Sequence, residues 1–253
     1  MDIMIRTTAR DDVPLLELWR QDLPGRRPLV LAQHGYLGRK EFILPQAYLL
    51  AASGFFIVVP DACSHGDRDA TAAPDLFASA RCSAQSINAL LSTYARDERV
   101  DPDNAGFVGY SMGGMIGFYY LTLPDVRFKV VCPVIASPDW EAIAMAPETR
   151  SLFSQAGLGT EADFDRQVDS ARLDNPAEKP ITPVPLLIQA GADDPLIPAD
   201  SITRYVDQIR PLYRDGSALD VQIYPGQGHA DTIWMNQRIV AFLTRYLGTV
   251  QAG

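Results

Sequence analysis

The sequence predicts an α/β protein: a mostly parallel, eight-stranded sheet with helices on both faces. Strand-length apolar runs alternate with segments of helical periodicity along nearly the whole chain, and that alternation calls for parallel strands joined by helical crossovers. Several runs are continuously apolar, as expected of strands buried on both faces. The residues able to do chemistry fall just after predicted strands, where ligands of such sheets bind.

In chain order, Ile3 to Thr8 and Leu15 to Trp19 alternate like half-exposed strands joined by the polar turn Ala9 to Asp12. Pro28 to Gln33 reads as a buried strand, residues 40–53 as a helix ended by Gly54, and Phe55 to Val59 as the next buried strand, stopped by Pro60-Asp61. A polar loop runs to about Leu76. Ile87, Leu90, Leu91 and Tyr94 give Ser79 to Ala95 helical spacing. The turn Asp101-Pro102-Asp103 precedes the strand Ala105 to Val108, and Met115 to Leu123 is helix-like. Val130 to Ala136 and Pro185 to Ala190 are further buried strands. Ser201 to Tyr213 reads as a helix, Asp220 to Tyr224 as the last strand and Asp231 to Tyr246 as the last helix.

Residues 137–183 interrupt this rhythm with three helical pieces, Trp140 to Ala146, Glu148 to Ala156 and Glu161 to Leu173. We expect them to form a small cap inserted into one domain spanning residues 1–253. Their apolar side chains (Trp140, Ile143, Met145, Leu152, Phe153 and Phe164) fit two roles equally: lining a pocket, or pinning the cap to the body.

A chain of 253 residues, 47% hydrophobic, suffices for one sizeable core. A net charge of −9 argues against nucleic acid and anionic membranes as partners. The apolar runs are strand length, short of the roughly 20 residues a membrane span needs. The N-terminus lacks the basic start and apolar stretch of a secretion signal. Cys63, Cys82 and Cys132 are scattered and odd in number, so neither a disulfide framework nor a zinc site is expected, and the reducing cytoplasm is the expected location.

The most informative segment is Gly109-Tyr110-Ser111-Met112-Gly113, of the form Gly-x-Ser-x-Gly, between a predicted strand and a predicted helix. A strand turning sharply into a helix is crowded, needs small neighbours, and pushes the serine hydroxyl out above the sheet. Serine needs an adjacent base, and the base an orienting group. Among three histidines, His229 in Gly226-Gln227-Gly228-His229 follows the last strand and suits the base. His34, in Gln33-His34-Gly35-Tyr36, suits a structural role. The backbone N–H groups that follow it, beginning with Tyr36, would join that of Met112 in cradling an oxyanion. His65, in the loop after Phe55 to Val59, is read as structural, with a place at the border of the pocket as the alternative. For the acid, Asp193 and Asp194 sit side by side after a buried strand, and side-chain direction cannot be read from sequence. Asp139 is the alternative.

Together these segments resemble the α/β-hydrolase family, near dienelactone hydrolases and the catalytic domains of prolyl oligopeptidases. The resemblance spans His34-Gly35, the turn at 109–113, Gly-x-x-Asp-x-x-Ile-Pro at 191–198 and Gly228-His229, in the family's chain order of Ser, Asp, His. It implies Ser111 as nucleophile, His229 as base, Asp194 as orienting acid, and the Tyr36 and Met112 amides as oxyanion hole. His65, Trp140 and Phe153 are the expected pocket residues. The implied activity is hydrolysis of small soluble carboxylic esters without metal or organic cofactor, by a monomer or homodimer. A peptidase, an amidase or a thioesterase would use the same three side chains, and a silent binding protein would share the scaffold.

Overall fold

The computed structural model describes residues 1–68, 74–214 and 218–249; part of the polar loop after Pro60 lies outside them. Eight strands form one sheet in the order β1-β2-β4-β3-β5-β6-β7-β8. They are β1 (Ile3–Arg10), β2 (Val13–Arg20), β3 (Arg27–Gln33), β4 (Phe56–Pro60), β5 (Val100–Tyr110), β6 (Val130–Val134), β7 (Leu186–Gly191) and β8 (Leu219–Tyr224). β1 and β2 form an antiparallel hairpin, and β2 pairs antiparallel with β4. From β4 to β8 every pairing is parallel. The chain steps from β3 out to β4 and then returns to place β5 on the other side of β3. The strand order reverses at that point, which opens a crevice at the carboxyl ends of β3 and β5.

Helices α1 (Leu44–Ala52) and α8 (Ile233–Leu247) cover one face, where Ala47, Leu50, Met235 and Ile239 pack on Val30, Ile57 and Val108. Helices α2 (Leu76–Thr93), α3 (Met112–Leu121) and α7 (Ala199–Ile209) cover the other, through Phe77, Ile87, Ile116, Phe118 and Ile202. β4, β6 and β7 are buried along their whole length, as their unbroken apolar runs require. Between β6 and β7 lie α4 (Trp140–Met145), α5 (Pro147–Gln155) and α6 (Glu161–Leu173), within a residue or two of their expected limits. Asp139 caps α4 by accepting the Ala142 N–H, and Thr160 with Asp163 forms a capping box on α6.

Two expectations are corrected. Asp101–Asp103 is not a free turn before the strand but part of β5. Its pairing with β3 jumps from Pro28↔Asp101 to Leu29↔Ala105, so the extra residues bulge without ending the strand. The three cysteines are not all free: Cys63, after β4, is bonded to Cys82 on α2, and Cys132 remains free and buried. The partners lie 19 residues apart in sequence. They meet because α2 docks on the loop after β4, where the Cys63 N–H donates to Ser83 Oγ at 2.9 Å. No helix among the described residues is long and apolar enough to cross a membrane.

Candidate active site

β5 ends at Tyr110 and α3 begins at Met112, leaving Ser111 alone to make the turn. It does so at φ 55° and ψ −120°, a backbone region that non-glycine residues occupy only when their surroundings hold them there. The glycines on either side are obligatory. A Cβ on Gly109 would lie 2.1 Å from the Gly113 carbonyl oxygen, and one on Gly113 would lie 2.2 Å from that of Gln33. The turn is therefore wedged against the end of β3, and Ser111 is raised over the crevice.

The other two side chains come from neighbouring strand ends. A Cβ on Gly191, the last residue of β7, would sit 2.1 Å from the Gln227 carbonyl oxygen. That close approach, with the Asp193 N–H donating to Gln227 at 3.0 Å, draws the loop after β8 across the sheet end. There His229 Nε2 lies 2.9 Å from Ser111 Oγ, and His229 Nδ1 lies 2.7 Å from Asp194 Oδ2. The other Asp194 oxygen accepts the N–H groups of Leu196 at 2.9 Å and Ile197 at 3.0 Å. These bonds fix the carboxylate in place and distinguish it from Asp193. Asp139 is engaged elsewhere, capping α4 and facing Arg204.

His34 is structural. Its Nε2 accepts the Ala62 N–H at 3.0 Å, which leaves Nδ1 to donate to the Gly35 carbonyl at 2.8 Å. Burial holds its pKa down at about 4, so the ring is neutral near pH 7. The ring pins the turn after β3 against Ser111, whose Cβ would lie 3.3 Å from a Cβ on Gly35. Beyond that turn the Lys40 ammonium meets Asp61 at 2.8 Å, and Asp61 also accepts the Lys40 N–H. Sequence reasoning missed this buried pair, since its members are 21 positions apart. Among the described residues the Tyr36 and Met112 N–H groups have no acceptor; that of Met112 begins a helix, where the first amides lack intrahelical partners.

Two small cavities adjoin these groups. One, of about 50 Å³, is bounded by Ser111 and His229 together with Tyr36, Met115, Ile143 and Leu152. The second, of about 30 Å³, lies beyond Tyr36 and is walled by Phe77, Phe153 and Phe164. Phe153 thus lines the second cavity. Trp140 does not line either one: it is fully buried in the core, stacked on Tyr119 and tilted against Phe77. His65 lines neither cavity. It is buried behind Tyr36, edge-on to that ring, with Nδ1 donating to the Cys63 carbonyl. Met145 points to solvent. The lining residues Leu76, Met115 and Thr149 escaped sequence reasoning because they belong to separate elements and carry no motif, whereas Leu196 and Ile197 lie in the 191–198 segment but are not legible there as pocket residues. A broader hollow of about 630 Å³ lies between α1 and the start of α8, lined by residues such as Tyr48, Leu49 and Ile233. Among the described residues no serine, cysteine or histidine lines it.

An eight-stranded, mostly parallel sheet with a serine on the sharp turn after its fifth strand defines the α/β-hydrolase fold. Within that class the chain belongs to the prolyl oligopeptidase family, which it matches over residues 42–250. It is 27% identical over 225 residues to YitV of Bacillus subtilis (strain 168), whose name marks it as a candidate esterase; the match covers 84% of this chain and 87% of YitV. It is 26% identical over 259 residues to Esterase YjfP of Escherichia coli (strain K12), covering 96% of this chain and 100% of the relative. Among solved structures it resembles TT1662 from Thermus thermophilus, with a TM-score of 0.70 at 20% identity, covering 98% and 99% of the two chains. At that identity the likeness speaks for the fold alone.

Proposed function

We propose that this protein is a serine hydrolase that cleaves carboxylic esters of small soluble substrates through an acyl-enzyme intermediate. The observation that carries the proposal is the continuous line of hydrogen bonds from Ser111 Oγ to His229 and on to Asp194, with Ser111 and His229 bordering an apolar cavity. The family and the esterase names of the relatives support the same class.

In this mechanism Ser111 Oγ attacks the ester carbonyl while His229 Nε2 takes its proton. Asp194 keeps the other ring nitrogen as the donor and stabilises the imidazolium that forms. The developing oxyanion rests on the Tyr36 and Met112 N–H groups, each such donor supplying about 10²–10³ in rate. His229 returns the proton to the leaving alcohol, and water then attacks the acyl-enzyme by the same route in reverse. General-base action supplies roughly 10²–10⁴. The helices α4–α6 act as a cap: Ile143 of α4 with Thr149 and Leu152 of α5 bound the cavity that Ser111 also lines, and Phe164 and Gln167 of α6 bound the second. A cavity of about 50 Å³ favours short acyl groups.

A peptidase reading is favoured by one observation, the family itself. The two readings part on a panel of p-nitrophenyl esters and aminoacyl p-nitroanilides. The ester reading predicts much faster turnover of p-nitrophenyl butyrate, falling by about 10⁴-fold or more in Ser111→Ala with the fold unchanged by circular dichroism. Faster cleavage of the anilides would transfer the assignment to the peptidases. Equal rates for Ser111→Ala and wild type would remove both.

A further inference from the structure

The strands that lead to Ser111 and His229, β5 and β8, are not neighbours: β6 and β7 lie between them. Strand pairing alone therefore does not set the distance from the hydroxyl to the imidazole. Among the described residues, residues 228–231 bond to groups outside their own loop only through the His229 ring and the Asp231 carboxylate. The His229 bonds are consumed in the reaction, since the ring takes and returns a proton. Asp231 is the anchor that does not react.

That anchor is fastened to the nucleophile's own turn. The hydroxyl of Tyr110, the residue before Ser111, donates to Asn236 Oδ1 at 2.7 Å, and Asn236 Nδ2 donates to Asp231 Oδ2 at 2.7 Å. Gln46 Nε2 of α1 donates to the same oxygen at 3.1 Å. Tyr110 and Asn236 are buried, so water competes little for these bonds. Their sense is fixed as well. A carboxylate only accepts, which turns the Asn236 amide nitrogen toward Asp231 and its oxygen toward Tyr110. Burial, with the nearby Asp231 charge, pushes the Tyr110 phenol well above its ordinary pKa, and it remains a donor. Asn236 itself stands on α8, where Met235 and Ile239 pack against the sheet. The two loops are thus tied to each other through a rigid element, which holds geometry better than a loop does.

We propose that Asn236 is a positioning residue for the catalytic base: through Asp231 it holds the loop that carries His229 in register with the Ser111 turn, to which Tyr110 ties it. This rests on the serine-hydrolase reading above. Breaking the link leaves Ser111, His229 and Asp194 in place in the chain but lets the imidazole drift from the hydroxyl, and a misplacement of about 1 Å costs about 10²-fold in rate. Neither Asn236 nor Tyr110 lines the cavity beside Ser111, so the loss falls on kcat and spares KM.

The test exchanges donor and acceptor. Asn236→Asp keeps the shape of the side chain and an acceptor for Tyr110, but it loses the donated bond and sets a second carboxylate against Asp231. Adding Asp231→Asn restores the bond with its sense reversed. Gln46 can then turn its Oε1, buried without a partner among the described residues, to accept the second N–H. Tyr110→Phe removes the link at its other end. Tyr213→Phe serves as the control: it removes a comparable phenol bond, to the Val184 carbonyl at 2.9 Å, ahead of β7 and so at the opposite end of the sheet. Two rates are read in protein shown to be folded by circular dichroism: turnover of p-nitrophenyl butyrate, and labelling of Ser111 by a fluorophosphonate. Asn236→Asp lowers kcat and the labelling rate by about 10- to 100-fold, with KM within about threefold of wild type. The combined variant recovers both rates to within about threefold of wild type, Tyr110→Phe loses at least about threefold, and Tyr213→Phe loses nothing. A merely structural network would lower the unfolding midpoint and leave both rates of the folded protein alone. Wild-type rates in folded Asn236→Asp overturn the proposal. So does a combined variant as slow as Asn236→Asp, or a loss in Tyr213→Phe equal to that in Tyr110→Phe. Should Asn236→Asp not fold, Tyr110→Phe, which lacks a single hydroxyl, decides the matter by the same two rates. If wild type neither cleaves the butyrate nor labels at Ser111, the serine-hydrolase reading itself has failed and takes this proposal with it.

Discussion

Ser111 owes its position to a conformation serine seldom takes, and the side chains around it divide the work between holding and reacting. Asp194 is held by two backbone N–H groups and in turn meets His229, whereas Asp139 caps a helix. Asp194→Asn is therefore expected to lower kcat by about 10²–10⁴, since an amide there favours the wrong imidazole tautomer. Asp139→Asn, which still caps, is expected to leave kcat nearly unchanged; a larger loss for Asp139→Asn in the same assay contradicts the assignment. His34 governs stability. Its pKa is about 4 in the folded protein against 6.5 as the ordinary value. Between those two values the unfolded chain binds the proton and the folded one does not. Stability from this group is thus complete above about pH 6.5 and declines as pH falls toward 4, by on the order of 3 kcal/mol. Urea titrations at several pH values should give a flatter acid limb for His34→Gln than for wild type; parallel curves would show that the ring is not held neutral by the fold.

At the scale of elements, β3, β4, β6 and β7 were legible because burial on both faces leaves them largely apolar, β1 and β2 were read from alternation, and the predicted limits lie within a few residues of those found, except in β5, which begins earlier. Helix starts were less so. The Ser79 start expected for α2 lies three residues inside the true one at Leu76, because the cap is Asp75, whose side chain accepts the Ala78 N–H in a stretch without apolar periodicity. The disulfide was not legible at all: nothing in a 19-residue spacing signals that α2 will fold back on the loop after β4. Its presence also removes the cysteine argument for a reducing compartment. Cys63→Ser with Cys82→Ser is expected to destabilise the protein by about 3 kcal/mol through the freed loop, measurable by denaturant unfolding; an unchanged midpoint would mean the bond does not form in solution. At the turn itself, Gly113→Ala forces a methyl against the Gln33 carbonyl. The misplaced Ser111 should cost kcat/KM at least about 10²-fold.

Across the whole molecule, the site exists because a strand-order reversal opens a crevice and three loops converge on it from β5, β7 and β8. The motifs named Ser111 and His229, and the resemblance to α/β-hydrolases selected Asp194; the geometry joins all three. The pocket lining was beyond reach. Trp140 and Met145 share one helical segment with Ile143, yet one is core, one is solvent-exposed and one faces the cavity. Helical phase alone does not say which face meets Ser111. A reaction run by these side chains and two backbone amides draws on no metal, so exhaustive dialysis against a chelator is expected to leave kcat/KM unchanged. The central claim is that Ser111 is a nucleophile activated by His229. The most direct test is incubation of the intact protein with a fluorophosphonate and mapping of the adduct by mass spectrometry. The account predicts one adduct per chain, on Ser111, abolished by Ser111→Ala and greatly slowed by His229→Ala. An unlabelled protein, or a label on another residue with Ser111 unmodified, would contradict it.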